Sequence, residues 1–198
     1  MCDDDDRMVA IRLFATRKRT KRMLKKRPPK DIWLDEGLKI LEDHGPSALT
    51  IDNLIQRTGK TKGSFYHHFK NRNEYVEALL NYFEMKGTIQ ILHEVDKESE
   101  QAARIRTLTR LVFQNSSKLE LVIRSWSLYE PVVKKFQDRI DQKRLDHLNS
   151  IYARSNAAAA SQPKMTALKN YAIYIGLQQL KHLYSEKKLK ELIKGVFT

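Results

Sequence analysis

Thr50-Ile51-Asp52-Asn53-Leu54-Ile55-Gln56-Arg57-Thr58-Gly59-Lys60-Thr61-Lys62-Gly63-Ser64-Phe65-Tyr66-His67-His68-Phe69 holds two short helical patterns with one glycine between them. The Thr50 hydroxyl can accept from an open backbone amide of a helix start, so a helix is expected over Ile51 to Thr58. Gly59 ends it, because the residue after a helix often takes a left-handed conformation that strains any residue with a Cβ. Thr61 then caps a further helix running to about Phe69, and an earlier one, from Asp31, stops at His44-Gly45-Pro46. Leu54, Ile55, Phe65 and Phe69 fall on the inward side of the pair, leaving Lys62, Ser64, His67 and His68 outside. Two short helices about a Gly-containing turn form a helix-turn-helix, whose second helix enters the DNA major groove.

Charge agrees with this reading. Between Asp52 and Glu74 stand five basic residues, Arg57, Lys60, Lys62, Lys70 and Arg72, and no acid, whereas residues 31–52 hold six acids and Lys39 alone. A solvated helix face normally mixes both signs, so a run of one sign reads as a phosphate-facing end. The whole chain of 198 residues carries +13, and residues 1–30 supply more than half of it, with 11 Lys/Arg against four aspartates. That stretch is expected to be a basic disordered arm. Its acidic opening, Asp3 to Asp6, leaves open that part of it is not native and that Met8 or Met23 is the natural start, so the arm is given no functional weight.

Beyond Asp31 apolar residues recur at helical spacing throughout, as in Val76, Leu79, Leu80, Phe83 and in Leu168, Tyr171, Ala172, Ile175, with no period-2 segment. An all-α fold of about nine helices is expected, with the helix-turn-helix domain over 31–76, a second helical domain over 77–198, and Ser155 to Pro163 as the clearest internal loop. A composition 41% hydrophobic and 31% charged is too apolar for disorder throughout. No apolar run approaches the length of a membrane span or a secretory signal, so the protein is expected in the cytoplasm without a membrane partner. Cys2, the single cysteine, allows no intramolecular disulfide or thiolate cage.

Catalytic and metal chemistry find no support in the pattern. Gly59-Lys60-Thr61 resembles the end of a phosphate-binding loop, but Leu54 stands where that motif needs glycine and no strand precedes it. His67 and His68 are neighbours on a helix and point about 100° apart, and His44, His93, His147 and His182 have no ligand spacing. No nucleophile and base pair is readable, so neither an enzyme, a metal site nor a cofactor is expected.

Ala48-Leu49-Thr50-Ile51, followed by Gly59-Lys60-Thr61-Lys62-Gly63-Ser64-Phe65-Tyr66-His67-His68-Phe69-Lys70-Asn71-Arg72, resembles the DNA-binding domain of the TetR family of bacterial transcriptional regulators. Lys60 departs from the family's small apolar turn residue, Leu54-Ile55 from its usual Ile-Ala, and Arg72 from its usual lysine. The resemblance implies DNA contacts from Thr50, Thr61, Lys62, Gly63, Ser64, Tyr66, His67, His68, Lys70 and Arg72, with Tyr66 and Arg72 on phosphates and base readers among Lys62, Ser64 and His67. It extends more weakly through Ile123 to Arg144 and through Tyr174-Ile175-Gly176-Leu177. It also implies a homodimer on double-stranded operator DNA with an inverted repeat, more often a repressor, released by a small-molecule effector in the C-terminal domain.

Candidate pocket residues there are Phe113, Trp126, Tyr129, Tyr152, Tyr171, Tyr174 and Gln178, because aromatics with a few polar groups suit a ligand between helices. The helix over 166–184 is apolar on two faces, more than one core needs, which assigns Ile173, Gly176, Leu177, Leu180, Tyr184, Leu189, Leu192 and Ile193 to a dimer interface. Gly176 either permits close approach there or marks a tight internal contact. Two other classes remain open: a helical interaction module without operator recognition, and a basic membrane-surface or nucleoid-coating protein acting through residues 1–30.

Overall fold

Proline is tolerated in the first turn of a helix, where its missing amide has no partner to lose, and three of the nine α-helices among the described residues begin on one. The computed structural model describes residues 29–114, 118–153, 162–185, 187–189 and 191–192. Within them α1 spans Pro29–His44, α2 Ile51–Thr58, α3 Lys62–His68, α4 Arg72–Glu84, α5 Gln90–Asp96, α6 Gln101–Gln114, α7 Lys118–Trp126, α8 Pro131–Tyr152 and α9 Pro163–Leu180. No strand occurs among the described residues. The arm expected over 1–30 lies outside them except for Pro29 and Lys30, which belong to α1, and the internal loop lies outside them apart from Gln162 and Pro163, where α9 begins.

The helix-turn-helix follows its caps. The Thr50 hydroxyl accepts from the Asn53 amide at 3.2 Å, and the Thr61 hydroxyl from the Ser64 amide at 3.2 Å. Gly59 sits between them at φ 65°, the left-handed conformation its lack of a Cβ allows. Asn71 caps α4 by accepting from the Glu74 amide at 2.9 Å, while the Glu74 carboxylate accepts from the Lys70 amide. Trp33, Leu54, Phe65, Phe69 and Tyr75 close the core beneath, with the Phe65 ring against Trp33, Phe69 and Tyr75 at centroid distances of 5.2 to 5.4 Å. Gly37 is part of that closure. The Tyr75 hydroxyl occupies the place a Cβ would take, with Tyr75 Cζ and Leu79 Cδ1 3.1 and 3.2 Å from it.

This core does not end with the helix-turn-helix. Leu119, Ile123, Trp126, Val133, Phe136 and Ile140, from α7 and the first half of α8, belong to the same apolar cluster, and α1 packs directly on α7. A second cluster joins α5, α6, the end of α8 and α9 through Ile91, Val95, Leu108, Leu148, Ile151 and Tyr171. Running between the two, α4 passes into α5 through a π-helical turn, Met85–Ile89. The wider turn carries the buried face from Phe83 to Thr88 and on to Ile91, so Ile89, which the apolar spacing places inward, is exposed instead.

Candidate nucleic-acid interface

α3 is a short helix held from below. Phe65 and Phe69 are buried; Lys62, Gly63, Tyr66, His67 and Lys70 share the opposite, exposed side, and Ser64 and His68 are half-buried at its edges. Burial first, then the charges of His67 and Lys30, lower the His68 imidazole pKa, so at neutral pH it offers a neutral ring. At Gly63 a Cβ would meet the Thr61 hydroxyl at 3.9 Å, an ordinary contact, so nothing among the described residues requires a glycine there. Glycine in a helix costs about 1 kcal/mol against alanine, and bare backbone at an exposed helix start allows close approach of a partner.

The basic run divides into two uses. Arg57 is turned back onto α1, donating to Glu36 at 3.1 Å and to Asp43 at 3.2 Å, so this charge fastens α2 to its neighbour. Those bonds hold the Arg57 guanidinium above its ordinary value, and against the effect of burial Lys39 and Arg57 together hold the Glu36 carboxyl below its own. Lys60, Lys62 and Lys70 are exposed and make no ion pair among the described residues. Arg72 is exposed at the start of α4, its Nε 3.4 Å from the Leu49 carbonyl, and Thr50 and Thr61 are exposed at their caps. The ten candidate DNA-contact residues thus lie along one stretch of surface from Thr50 to Arg72, with α3 at its centre.

The second apolar cluster borders a cavity of about 70 Å³. Its apolar wall comes from Phe83, Ile91, Leu92, Leu108, Val112 and Leu148, and its polar wall from Thr88, Glu120, Arg144, His147, Tyr171 and Tyr174. Arg144 crosses that polar end. Its two terminal nitrogens donate to the two Glu120 oxygens at 2.7 and 3.1 Å, and its Nε donates to the Thr88 hydroxyl at 3.0 Å. Behind it Arg124 grips Asp141 at 2.8 and 2.9 Å, and the Tyr171 hydroxyl donates to Asp141 at 2.7 Å. Burial works against each of these charges, but the partners outweigh it: both guanidinium pKa values rise and that of Asp141 falls below the usual carboxylate range. Burial pushes the Tyr174 hydroxyl up to about 12.

Of the pocket candidates, the structure brings Tyr171 and Tyr174 to the cavity. Gln178 stands behind, donating to the Tyr174 hydroxyl at 2.6 Å, and Tyr152 packs in the second cluster, held by Asn170. Trp126 lies elsewhere, in the core shared with the helix-turn-helix. Tyr129 is 84% exposed in the α7–α8 turn, where Pro131 restarts the helix and leaves the ring no wall to pack on. The Phe113 side chain lies outside the described residues. Glu120, Arg144, Thr88 and Gly87 escaped the sequence reading, because an aromatic search cannot find a buried ion pair whose halves are far apart in sequence.

On α9, Ile173 and Leu180 are exposed, as is Tyr184 beyond it, and Met165 and Leu168 extend the apolar surface. Among the described residues no atom lies within 4 Å of where a Gly176 Cβ would stand, which speaks against the internal-contact reading of that glycine. Leu177 is half-buried against the second cluster, Leu189 and Leu192 are half-buried, and Ile193 lies outside the described residues. No helix is long and apolar enough to cross a membrane, and no three His, Cys, Asp or Glu side chains gather for a metal ion, both among the described residues.

Residues 34–79 match the family model described as bacterial regulatory proteins, tetR family. Over 84 residues, 41% of this chain, it is 27% identical to the uncharacterized HTH-type transcriptional regulator YwcC of Bacillus subtilis. It is equally similar to the transcriptional regulator AcuR of Cereibacter sphaeroides, and the match spans 38% of the length of each relative. In fold it resembles reduced NemR of E. coli, at TM-score 0.71 and 18% identity over 85% of this chain and 96% of that one. A TetR-family regulator of Streptomyces coelicolor is similar in fold at TM-score 0.69 and 14% identity, over 85% of this chain and 94% of that one.

Proposed function

The chain belongs to the TetR family of bacterial regulatory proteins, and from that premise we propose that it is a dimeric, cytoplasmic DNA-binding transcriptional regulator. In this reading it is a repressor that a small molecule in the internal cavity releases from an inverted-repeat operator. The observation that carries the proposal is the exposed side of α3, where the side chains of Lys62, Tyr66, His67 and Lys70 and the bare backbone of Gly63 face outward from a helix anchored by Phe65 and Phe69. Side chains on such a helix reach base edges in the major groove, while Arg72 and the lysines meet phosphates.

Dimerisation is supported by α9. Its exposed apolar residues and the open Gly176 surface suit a second copy of the same helix, and a two-fold axis there sets two α3 helices on half-sites about 34 to 36 Å apart or a multiple of that. Release is supported by the continuity of α4 and α5. Tyr75 and Val76 at one end of that rod lie in the helix-turn-helix core, and Phe83, Gly87, Thr88, Ile91 and Leu92 further along form cavity wall. A ligand that prefers the DNA-incompetent arrangement by about 5.5 kcal/mol moves the population from 1:99 to 99:1. Selecting bound genomic fragments tests the proposal: an enriched inverted repeat supports it, and equal affinity for random DNA overturns it.

A further inference from the structure

The cavity's polar end is electrically closed, which constrains what can enter it. Arg144 is matched by Glu120 through two bonds, and Arg124 behind it is matched by Asp141 through two more. An entering carboxylate would have to compete with Glu120 for Arg144 and would bring two like charges together. An entering cation would meet a carboxylate already satisfied by arginine. Either ion also leaves water without gaining an unpaired partner, a cost of several kcal/mol in a buried site. What the polar end still offers are donors. Arg144 spends four of its five N–H groups on Thr88, Glu120 and Tyr171. The Tyr174 hydroxyl accepts from Gln178, and no bond among the described residues uses its own proton.

Size is equally restrictive. A cavity of about 150 Å³ accommodates benzene, so one of about 70 Å³ takes roughly half as much, a molecule of about three or four non-hydrogen atoms. Resting on the regulator reading above, we propose that the effector site selects small uncharged molecules that carry a carbonyl-type hydrogen-bond acceptor, placed against Tyr174 and Arg144, with a short apolar end toward Leu108 and Leu148. Four atoms at the ceiling for tiny ligands limit the dissociation constant to about 40 µM at best.

Three planar probes of equal size, acetamide, acetate and acetamidinium, separate the alternatives. Binding to the full-length protein is read by calorimetry or ligand-observed NMR. Acetamide should bind in the high micromolar to low millimolar range and the two ions at least tenfold more weakly. Tyr174→Phe should weaken acetamide about threefold to tenfold, the loss of one hydrogen bond. Glu120→Gln, by leaving Arg144 without its carboxylate, should reverse the preference toward acetate. Either ion binding as tightly as the amide, no amide binding at 20 mM, or a Tyr174→Phe protein that binds the amide unchanged overturns the inference. Operator binding in the same samples separates the two claims: a protein that holds its selected DNA site but ignores the amide refutes the ligand class alone, and one that holds no DNA site refutes the regulator reading.

Discussion

Two glycines inside helices should respond to the same substitution with opposite signs. Alanine gains about 1 kcal/mol over glycine in a helix interior. At Gly87 the new methyl would lie 3.8 Å from the Phe83 ring, an ordinary contact, so Gly87→Ala should stabilise the protein by up to about that 1 kcal/mol. At Gly37 the methyl would overlap the Tyr75 hydroxyl, which is fully buried and donates to the Trp33 carbonyl at 2.9 Å. Overpacking costs about 1 to 3 kcal/mol and a buried Tyr75 hydroxyl pushed off its acceptor about 1 to 3 more, so Gly37→Ala should lose about 1 to 5 kcal/mol after the helix gain. Denaturant midpoints by circular dichroism give both values. Tyr75→Phe supplies the control: alone it costs about 1 to 2 kcal/mol, but beside Gly37→Ala it removes the overlapping oxygen and should cost nothing. Equal stability of the two alanine variants, or a Tyr75→Phe cost that is the same in both backgrounds, would refute this account of the core.

Asp141 and Glu84 have carboxyl pKa values held below their ordinary values by Arg124 and by Lys143 with Arg139, against the opposing effect of burial, so their stabilisation is complete above the unfolded pKa values and is lost as pH falls through the folded ones. Stability should be flat from pH 7 to about 5 and decline below about 4.5; a midpoint that rises on acidification contradicts this. Arg72→Ala should lower the slope of log affinity against log salt by about one, whereas Arg57→Ala should leave it unchanged, because Arg57 is spent on Glu36 and Asp43. Ile173→Glu with Leu180→Glu places charge on the exposed α9 surface and should give a monomer in light scattering at micromolar concentration; a dimer that persists moves the interface elsewhere.

The helix-turn-helix was legible because its signals are local. Thr50, Gly59 and Thr61 act on amides and dihedrals within three residues of themselves, and the inward set, Leu54, Phe65 and Phe69, repeats at helical spacing. Arg57, counted in the basic run, shows the opposite case: its partners, Glu36 and Asp43, lie on another helix, and a run of like charge in sequence says nothing of what faces it across a packing interface. The π-turn escaped because its one extra residue leaves no composition mark, and it turned Ile89 outward. Tyr171 and Tyr174, two of the aromatic candidates, line the cavity, while its charged end has no sequence signal, since Glu120 and Arg144 meet only after α7 and α8 pack. Trp126 and Tyr129 illustrate the limit of counting aromatics: one completes a core and the other faces solvent.

The measurement that bears most directly on the account is the ratio of affinities for the selected DNA site and a shuffled competitor, determined for the native protein and for Lys62→Ala/Ser64→Ala/His67→Ala. These side chains lie on or at the edge of the exposed side of α3, so the variant should unfold at a similar denaturant concentration. Each good base contact is worth about 1 to 3 kcal/mol of discrimination. The account predicts a ratio that falls by at least tenfold in the variant while affinity for the shuffled DNA changes little. An undiminished ratio would show that α3 does not read the sequence.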